Sequence, residues 1–242
     1  MKISIVGKGN VGTHLFNEFT ESTVDVNLID SRTLSGLSTE SDLIIITVTD
    51  TALADVAAKI SHKLSGFKGL VAHTAGSVNI DILKPFFESY GVFYPLQTFS
   101  KGNKISNFKS IPIFIEANNK RNEKLLFDVA KLISDKIYPY TSEMREKLHL
   151  ASVFVCNFVN ALYSMGEEIL IKEGIPFEVV IPLIEYTAEK IRTDSPNSCQ
   201  TGPARRGDVE IMNKHLKLLS ENKELAELYN KISAYIYKKY SK

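Results

Sequence analysis

The run Gly7-Lys8-Gly9-Asn10-Val11-Gly12 places the tightest condition on this chain: three glycines at GxGxxG spacing follow the apolar stretch Lys2–Val6 and open a periodic one. Val11, Leu15, Phe16 and Phe19 recur at helical steps, so the segment reads as strand, glycine turn and helix. In that setting the first glycine makes the tight turn, the second lets a pyrophosphate approach the backbone, and the third admits close helix–strand packing. The amide hydrogens at the start of the helix then face the phosphates. Gly7, Gly9, Asn10, Val11 and Gly12 are the residues expected there.

The following sequence continues the alternation. Strands are expected at 24–29, Leu43–Val48, Leu70–His73, Val92–Tyr94, Ile111–Glu116 and Ile137–Tyr140, and helices at Thr51–Leu64, Val78–Phe87 and Asn119–Ser134. Leu43–Val48 is an unbroken run rich in β-branched residues, of the kind that lies in a parallel sheet covered on both faces. The pattern implies a doubly wound, mostly parallel α/β domain over residues 1–140.

Beyond Thr141 the character changes. Ser142 to about Glu173 reads as a single helix, roughly 45 Å long at 1.5 Å per residue. Another helix begins near Pro176, a loop rich in Pro, Ser, Asn and Gly runs from Asp194 to Pro203, and two further helices follow, ending in a solvated tail, KKYSK. Residues 141–242 are therefore expected to form an all-α domain. Leu148–Gly166 carries no formal charge, but His149, Asn157 and Asn160 argue against a membrane span, since each polar group is costly in lipid.

Two signals compete at the end of the second strand, Asp30-Ser31-Arg32. Asp30 suits a free ribose 2′-hydroxyl and hence NAD, whereas Ser31 with Arg32 suits a 2′-phosphate and hence NADP. NADP is preferred because a guanidinium matches phosphate geometry. The loops Thr47–Thr51 and His73–Ser77 follow strands on the sheet's carboxyl edge, which puts Thr49, Asp50 and Thr74 beside the rest of the coenzyme; Thr49 and Asp50 can also cap the next helix.

Reduction of a carbonyl or imine needs a proton donor, and His73, Lys147 and His149 are the candidates. His149, Val153, Asn157, Asn160 and Ser164 recur at steps of three and four as a polar seam on an apolar helix, which adds Asn157 to the catalytic candidates. Such a seam serves equally to bond neighbouring helices. The segment Gln200–Asp208, with Arg205 and Arg206, can close over a small anion or form an ordinary capped loop.

Composition excludes more than it selects. Lys plus Arg number 29 against 28 Asp plus Glu, a formal charge of +1 that gives no electrostatic case for nucleic acid or a membrane surface. Cys156 and Cys199 lie far apart and form no metal-binding or disulfide framework, so no metal is expected and a reducing cytoplasm suits the chain.

GKGNVG, SRT after the second strand, HTAGS, YPLQTFS, HLASVFVCNFVNALY and QTGPARRGD together resemble Rossmann-like proteins with a C-terminal helical domain of unknown function. These are similar to the group of pyrroline-5-carboxylate reductase, deazaflavin-dependent NADP reductase, ketopantoate reductase and 6-phosphogluconate dehydrogenase. The resemblance implies an NADP-linked reductase acting on a small metabolite in a cleft between the two domains, and a helical domain that dimerises. It names no substrate. Around YPLQTF the chain also resembles prephenate dehydrogenases, with Tyr94 where they carry a histidine before the proline. Lys147, Asn157 and Asn160 resemble the lysine and asparagines of ketopantoate reductases only loosely, the spacing being different. A non-catalytic sensor of coenzyme state, or a dimeric interaction protein, is the rival expectation.

Overall fold

The computed structural model describes residues 1–102 and 105–240, so the last two residues of the expected tail lie outside the described residues. The described chain divides into two compact units, Met1–Val155 and Cys156–Lys242.

The first unit is a seven-stranded sheet with helices on both faces. Its elements in chain order are β1 (Lys2–Val6), α1 (Asn10–Thr20), β2 (Asp25–Ile29), β3 (Leu43–Ile46), α2 (Leu53–Lys63), β4 (Leu70–His73), β5 (Tyr90–Pro95), β6 (Ile113–Ala117), α3 (Lys120–Ile133), β7 (Ile137–Pro139) and α4 (Ser142–Ser152). The strand order is β2-β1-β3-β4-β5-β6-β7. Every pairing is parallel except β5 with β6, which is antiparallel. The chain leaves β1 toward β2 and then crosses to β3 on the other side, so the topological switch, where ligands settle in such sheets, lies at the carboxyl ends of β1 and β3.

Period-two alternation explains the two cores. Ile3, Ile5, Leu43 and Ile45 pack with Leu15 and Phe19 of α1 and with Leu126 and Val129 of α3. Val6, Ile44 and Ile46 point the other way, onto Leu53, Val56, Ala57 and Ile60 of α2. An apolar run without a polar side is thus what a strand covered on both faces needs.

Three expectations change. The helix expected over Val78–Phe87 is only a 3-10 turn, Ile80–Leu83, capped by Asn79, whose side chain accepts the Asp81 N–H. Pro85 has no amide hydrogen to continue it. The Val92–Tyr94 strand extends to Tyr90–Pro95 because it pairs on both sides. The long helix over 142–173 is interrupted by a π-turn at Val153–Asn157, after which α5 runs from Phe158 to Lys172. A π-turn holds more residues per turn, so the three-and-four spacing of the polar seam does not carry through it.

The second unit contains α5, α6 (Ile181–Lys190), α7 (Pro196–Cys199), α8 (Pro203–Arg206), α9 (Val209–Leu218) and α10 (Lys223–Tyr240). α7 is a single turn inside the loop expected at 194–203, capped by Ser195, whose side chain accepts the Ser198 N–H. Ala204 is the one buried apolar residue of this unit among the described residues. Leu162, Ile169, Ile171, Val179, Leu183 and Tyr186 are all exposed. Ser142–Lys172 is long and apolar enough, by length and composition, to cross a membrane. Its first turns nevertheless dock on the sheet, for Arg145 of α4 is 1% exposed and paired with Glu116 of β6.

Candidate functional site

The glycine turn sits at the switch point, and packing explains two of its three glycines. Gly7 has φ +126°, and a Cβ there would strike the Thr47 carbonyl oxygen. A Cβ on Gly12 would strike the Gly7 carbonyl oxygen. The Thr47 hydroxyl supports the turn from beneath, donating to Gly7 O at 3.0 Å, while Gly7 N–H donates to Ile29 O at 2.9 Å. Gly9 is different. Nothing lies within 4 Å of where its Cβ would stand, its backbone is ordinary and extended at φ −76°, and it caps α1 without any side-chain hydrogen bond. Protein packing therefore does not require a glycine at Gly9. A bare backbone beside uncapped helical amides is the cradle a diphosphate fits.

The neighbours divide in role. The Asn10 side chain donates to Phe99 O at 2.8 Å and so ties α1 to the loop after β5, leaving its contribution to the turn to the backbone. His14 makes a parallel contact to Ser100 O at 3.1 Å. Val11 is half-buried against the core. At the end of β2, Asp30 accepts the Arg32 N–H at 2.8 Å. That bond, with the nearby charges of Lys8 and Arg32, holds its carboxyl below the usual carboxylate range. Ser31 is half-buried and the Arg32 side chain is exposed. Lys8, unremarked in the sequence reading, is thus a second cation at this corner.

On the two neighbouring loops, Thr49 and Asp50 are exposed, and Asp50 accepts the Ser77 hydroxyl at 2.5 Å, linking the loop after β3 to that after β4. The Thr49 hydroxyl lies 3.3 Å from that of Thr51 and makes no cap bond. The Thr74 hydroxyl turns back to Ile46 O at 3.4 Å, so its side chain faces the sheet.

The candidate proton donors separate sharply. His73 is fully buried on β4, and its Nδ1 accepts the Ala75 N–H at 3.1 Å. Burial above all, with the charge of Arg145, holds its pKa down to about 3. Burial thus disfavours the charged form of His73 and sets it back from the exposed edge of the sheet. Lys147 lies in the opposite setting. It is exposed and bonded to Glu143 at 2.8 Å one helical turn back, which raises its pKa and leaves it on the outer surface of α4. Asn157 closes the π-turn, is exposed, and belongs to the second unit.

His149 is in company. Its Nδ1 lies 3.1 Å from the Tyr94 hydroxyl, and the rings meet edge-on with centroids 6.2 Å apart. Gly76, from the HTAGS loop, closes on both: a Cβ there would stand 2.6 Å from His149 Nδ1 and 2.9 Å from Tyr94 Oη. Burial raises the Tyr94 phenol above its usual pKa, against the pull of Arg145. Tyr94 ends a strand parallel to β4, so it shares the carboxyl edge with the loops above.

Beneath this pair runs a buried network that the sequence reading missed. Arg145 donates to Glu116 at 2.5 Å, to Val78 O at 2.5 Å and to Ser142 Oγ at 3.2 Å. Ser142 in turn donates to Glu116 at 2.7 Å and accepts the Ile80 N–H. Among the described residues, no group of three or more His, Cys, Asp or Glu is placed to hold a metal ion.

A mostly parallel sheet with a glycine-rich turn at its switch point, followed in sequence by a helical unit, defines a Rossmann-type fold. Residues 111–236 match the family described as a domain of unknown function, DUF2520, and the chain belongs to that family. No curated protein matches the chain. Among solved structures it is similar to a Bacteroides fragilis protein named as a candidate NADP oxidoreductase, with 33% identity, 98% of each chain covered and a TM-score of 0.91. A Thermotoga maritima protein shares the fold at 18% identity and TM-score 0.72, covering 98% of this chain and 97% of its own. So does 1-pyrroline-5-carboxylate reductase of Streptococcus pyogenes, at 14% identity and TM-score 0.59 with 98% of each chain covered.

Proposed function

We propose that this protein is an NADP(H)-dependent oxidoreductase that reduces a small metabolite at the carboxyl edge of its first unit. The observation that carries the reading is Gly9, a glycine with open space above it at an uncapped helix start. The backbone of Gly7–Gly12 would hold the diphosphate, and Ser31 and Arg32, with Lys8 beside them, the 2′-phosphate. Thr49 and Asp50 would flank the remainder of the coenzyme. Once bound, the nicotinamide supplies a hydride; the chain's part is to orient the reactants and supply a proton. The whole-length likeness to the B. fragilis protein supports the coenzyme assignment. The Tyr94–His149 pair favours catalysis over a sensor role, since a sensor has no need of a proton donor at this edge.

The reading extends to a homodimer of the cytoplasm joined through the helical unit. Support comes from α5, α6, α9 and α10, none of which has a buried residue, although each is amphipathic or apolar. A second copy would cover those faces.

Calorimetry on two variants tests the coenzyme assignment. Gly9→Ala should keep the thermal midpoint of the parent yet weaken NADPH binding by about tenfold or more, because the methyl occupies the diphosphate's place. Arg32→Ala should weaken NADPH by about tenfold and leave NADH unchanged. Failure of the parent protein to bind either coenzyme at millimolar concentration would overturn the assignment.

A further inference from the structure

We infer that the group reduced is a carbonyl rather than an imine, and that Tyr94 is the catalytic residue that protonates its oxygen, with His149 returning the proton to Tyr94. The inference rests on the coenzyme reading above and adds the substrate class to it. Its ground is the arrangement of Tyr94 Oη, His149 Nδ1 and Gly76 at the coenzyme edge. The phenol is at the right edge of the sheet, is packed on Phe114 and His149, and touches a second group able to carry a proton. Gly76 leaves no space for a side chain to part them.

The chemistry selects the substrate. When a carbonyl carbon accepts a hydride, the C=O π pair moves to oxygen and an alkoxide begins to form, about as basic as hydroxide, whose conjugate acid has a pKa near 15.7. A phenol, with an ordinary pKa of about 10, is acidic enough to give it a proton. An imine differs, because its nitrogen is protonated from solvent near neutral pH before the hydride arrives, and such a cation makes no use of a phenol as proton donor. Burial raises the Tyr94 phenol above its usual pKa and so keeps the hydroxyl in its donating form.

The step balances with groups in hand. With a proton on His149 Nδ1, Tyr94 accepts that hydrogen bond and its own O–H is free to point to the substrate. The carbonyl carbon gains a C–H bond with both electrons from the coenzyme's hydride, and the oxygen gains the Tyr94 proton. The phenolate takes the Nδ1 proton of His149 as a solvent proton enters the ring at Nε2, so that one proton is drawn from solvent for each hydride transferred and the imidazole stays neutral.

The test has two arms. Without coenzyme, the ¹⁵N spectrum of histidine-labelled protein should show the His149 Nδ1 signal move in Tyr94→Phe, with the other four histidines unmoved. An unmoved His149 signal overturns the pairing. With NADPH, glyoxylate, pyruvate and acetaldehyde form the carbonyl panel and 1-pyrroline the imine probe. At least one carbonyl should be reduced faster than 1-pyrroline. Tyr94→Phe should lower kcat for the active carbonyl by about 10²–10⁴-fold with NADPH affinity unchanged. Should Tyr94→Phe not fold, His149→Gln serves, with kcat lowered about tenfold or more and KM little changed. Native kcat in the variant overturns the inference, as does reduction of 1-pyrroline alone, or binding of NADPH with no carbonyl reduced. If NADPH itself fails to bind, the coenzyme assignment falls first and takes this inference with it, which separates the two failures.

Discussion

The two units of this chain solve the burial of apolar surface in opposite ways. In the first, Ile3, Ile5, Leu43 and Ile45 disappear under α1 and α3, and Val6, Ile44 and Ile46 under α2, so that each strand face finds its cover within the same unit. In the second, Ala204 alone among the described apolar residues is buried, while Leu162, Val179, Leu183 and Tyr186 stand in solvent. At roughly 25 cal/mol per Å² of apolar area, a unit that hides so little of itself has little to set against chain entropy. The difference teaches that the sheet unit is specified from within, whereas the helical unit leaves its apolar side chains uncovered by the described chain.

The largest effect expected is at the buried network of the sheet unit. Arg145→Met should destabilise the protein by about 3 kcal/mol in chemical denaturation, because Glu116 and the Val78 carbonyl lose their donor while largely shielded from water. Adding Glu116→Gln should return part of that loss. If Arg145→Met is neutral, the first unit does not depend on its internal pairs and the contrast between units fails. The helical unit should answer to a different measurement. Leu183→Lys, on a side chain 65% exposed, should leave the sheet unit's unfolding unchanged and shift the proposed dimer to monomer in sedimentation at micromolar protein. A monomeric parent would remove the premise.

Acid provides a third test, directed at the sheet. His73 has a folded pKa of about 3 against an ordinary 6.5, so the unfolded chain binds the extra proton in the interval between. Its contribution is fully present above pH 6.5 and is lost as pH falls toward 3, with a slope of about 1.4 kcal/mol per pH unit within that window. His73→Asn should flatten stability against pH between 6 and 4. An unchanged slope would mean that His73 is hydrated rather than sealed in the core.

What could be read from the sequence follows from range. The glycine turn, the strands that follow it and the helical second half are local patterns, and each appeared at nearly its expected place. The extra helix over Val78–Phe87 came from apolar spacing that Pro85 overrules. The site was less legible because its pairs are distant in sequence: Tyr94 meets His149 across 55 residues, and Arg145 meets Glu116 across 29. No period or motif joins such positions. His149 was legible as a candidate proton donor on a polar helical seam but without its partner, and Arg145 only as one charge among many. His73 illustrates the converse, a residue type suited to acid chemistry whose burial disfavours the charged form.

The smallest expected effect lies two residues from the largest. Lys147 and Arg145 are both cations of α4, both paired with a glutamate, and indistinguishable in a reading of charge alone. Arg145 turns inward to Glu116 at 1% side-chain exposure, whereas Lys147 and Glu143 meet at 75% and 78%. Water and salt screen the second pair, and two long side chains must be held in one geometry to form it, so the attraction and the ordering nearly cancel. Lys147→Ala should therefore move the thermal midpoint by no more than about 1 °C. It should also leave NADPH binding and carbonyl reduction as in the parent. A marked loss of turnover with normal folding would restore Lys147 to the catalytic set, and would mean that the outer surface of α4, rather than the Tyr94 side, faces the substrate.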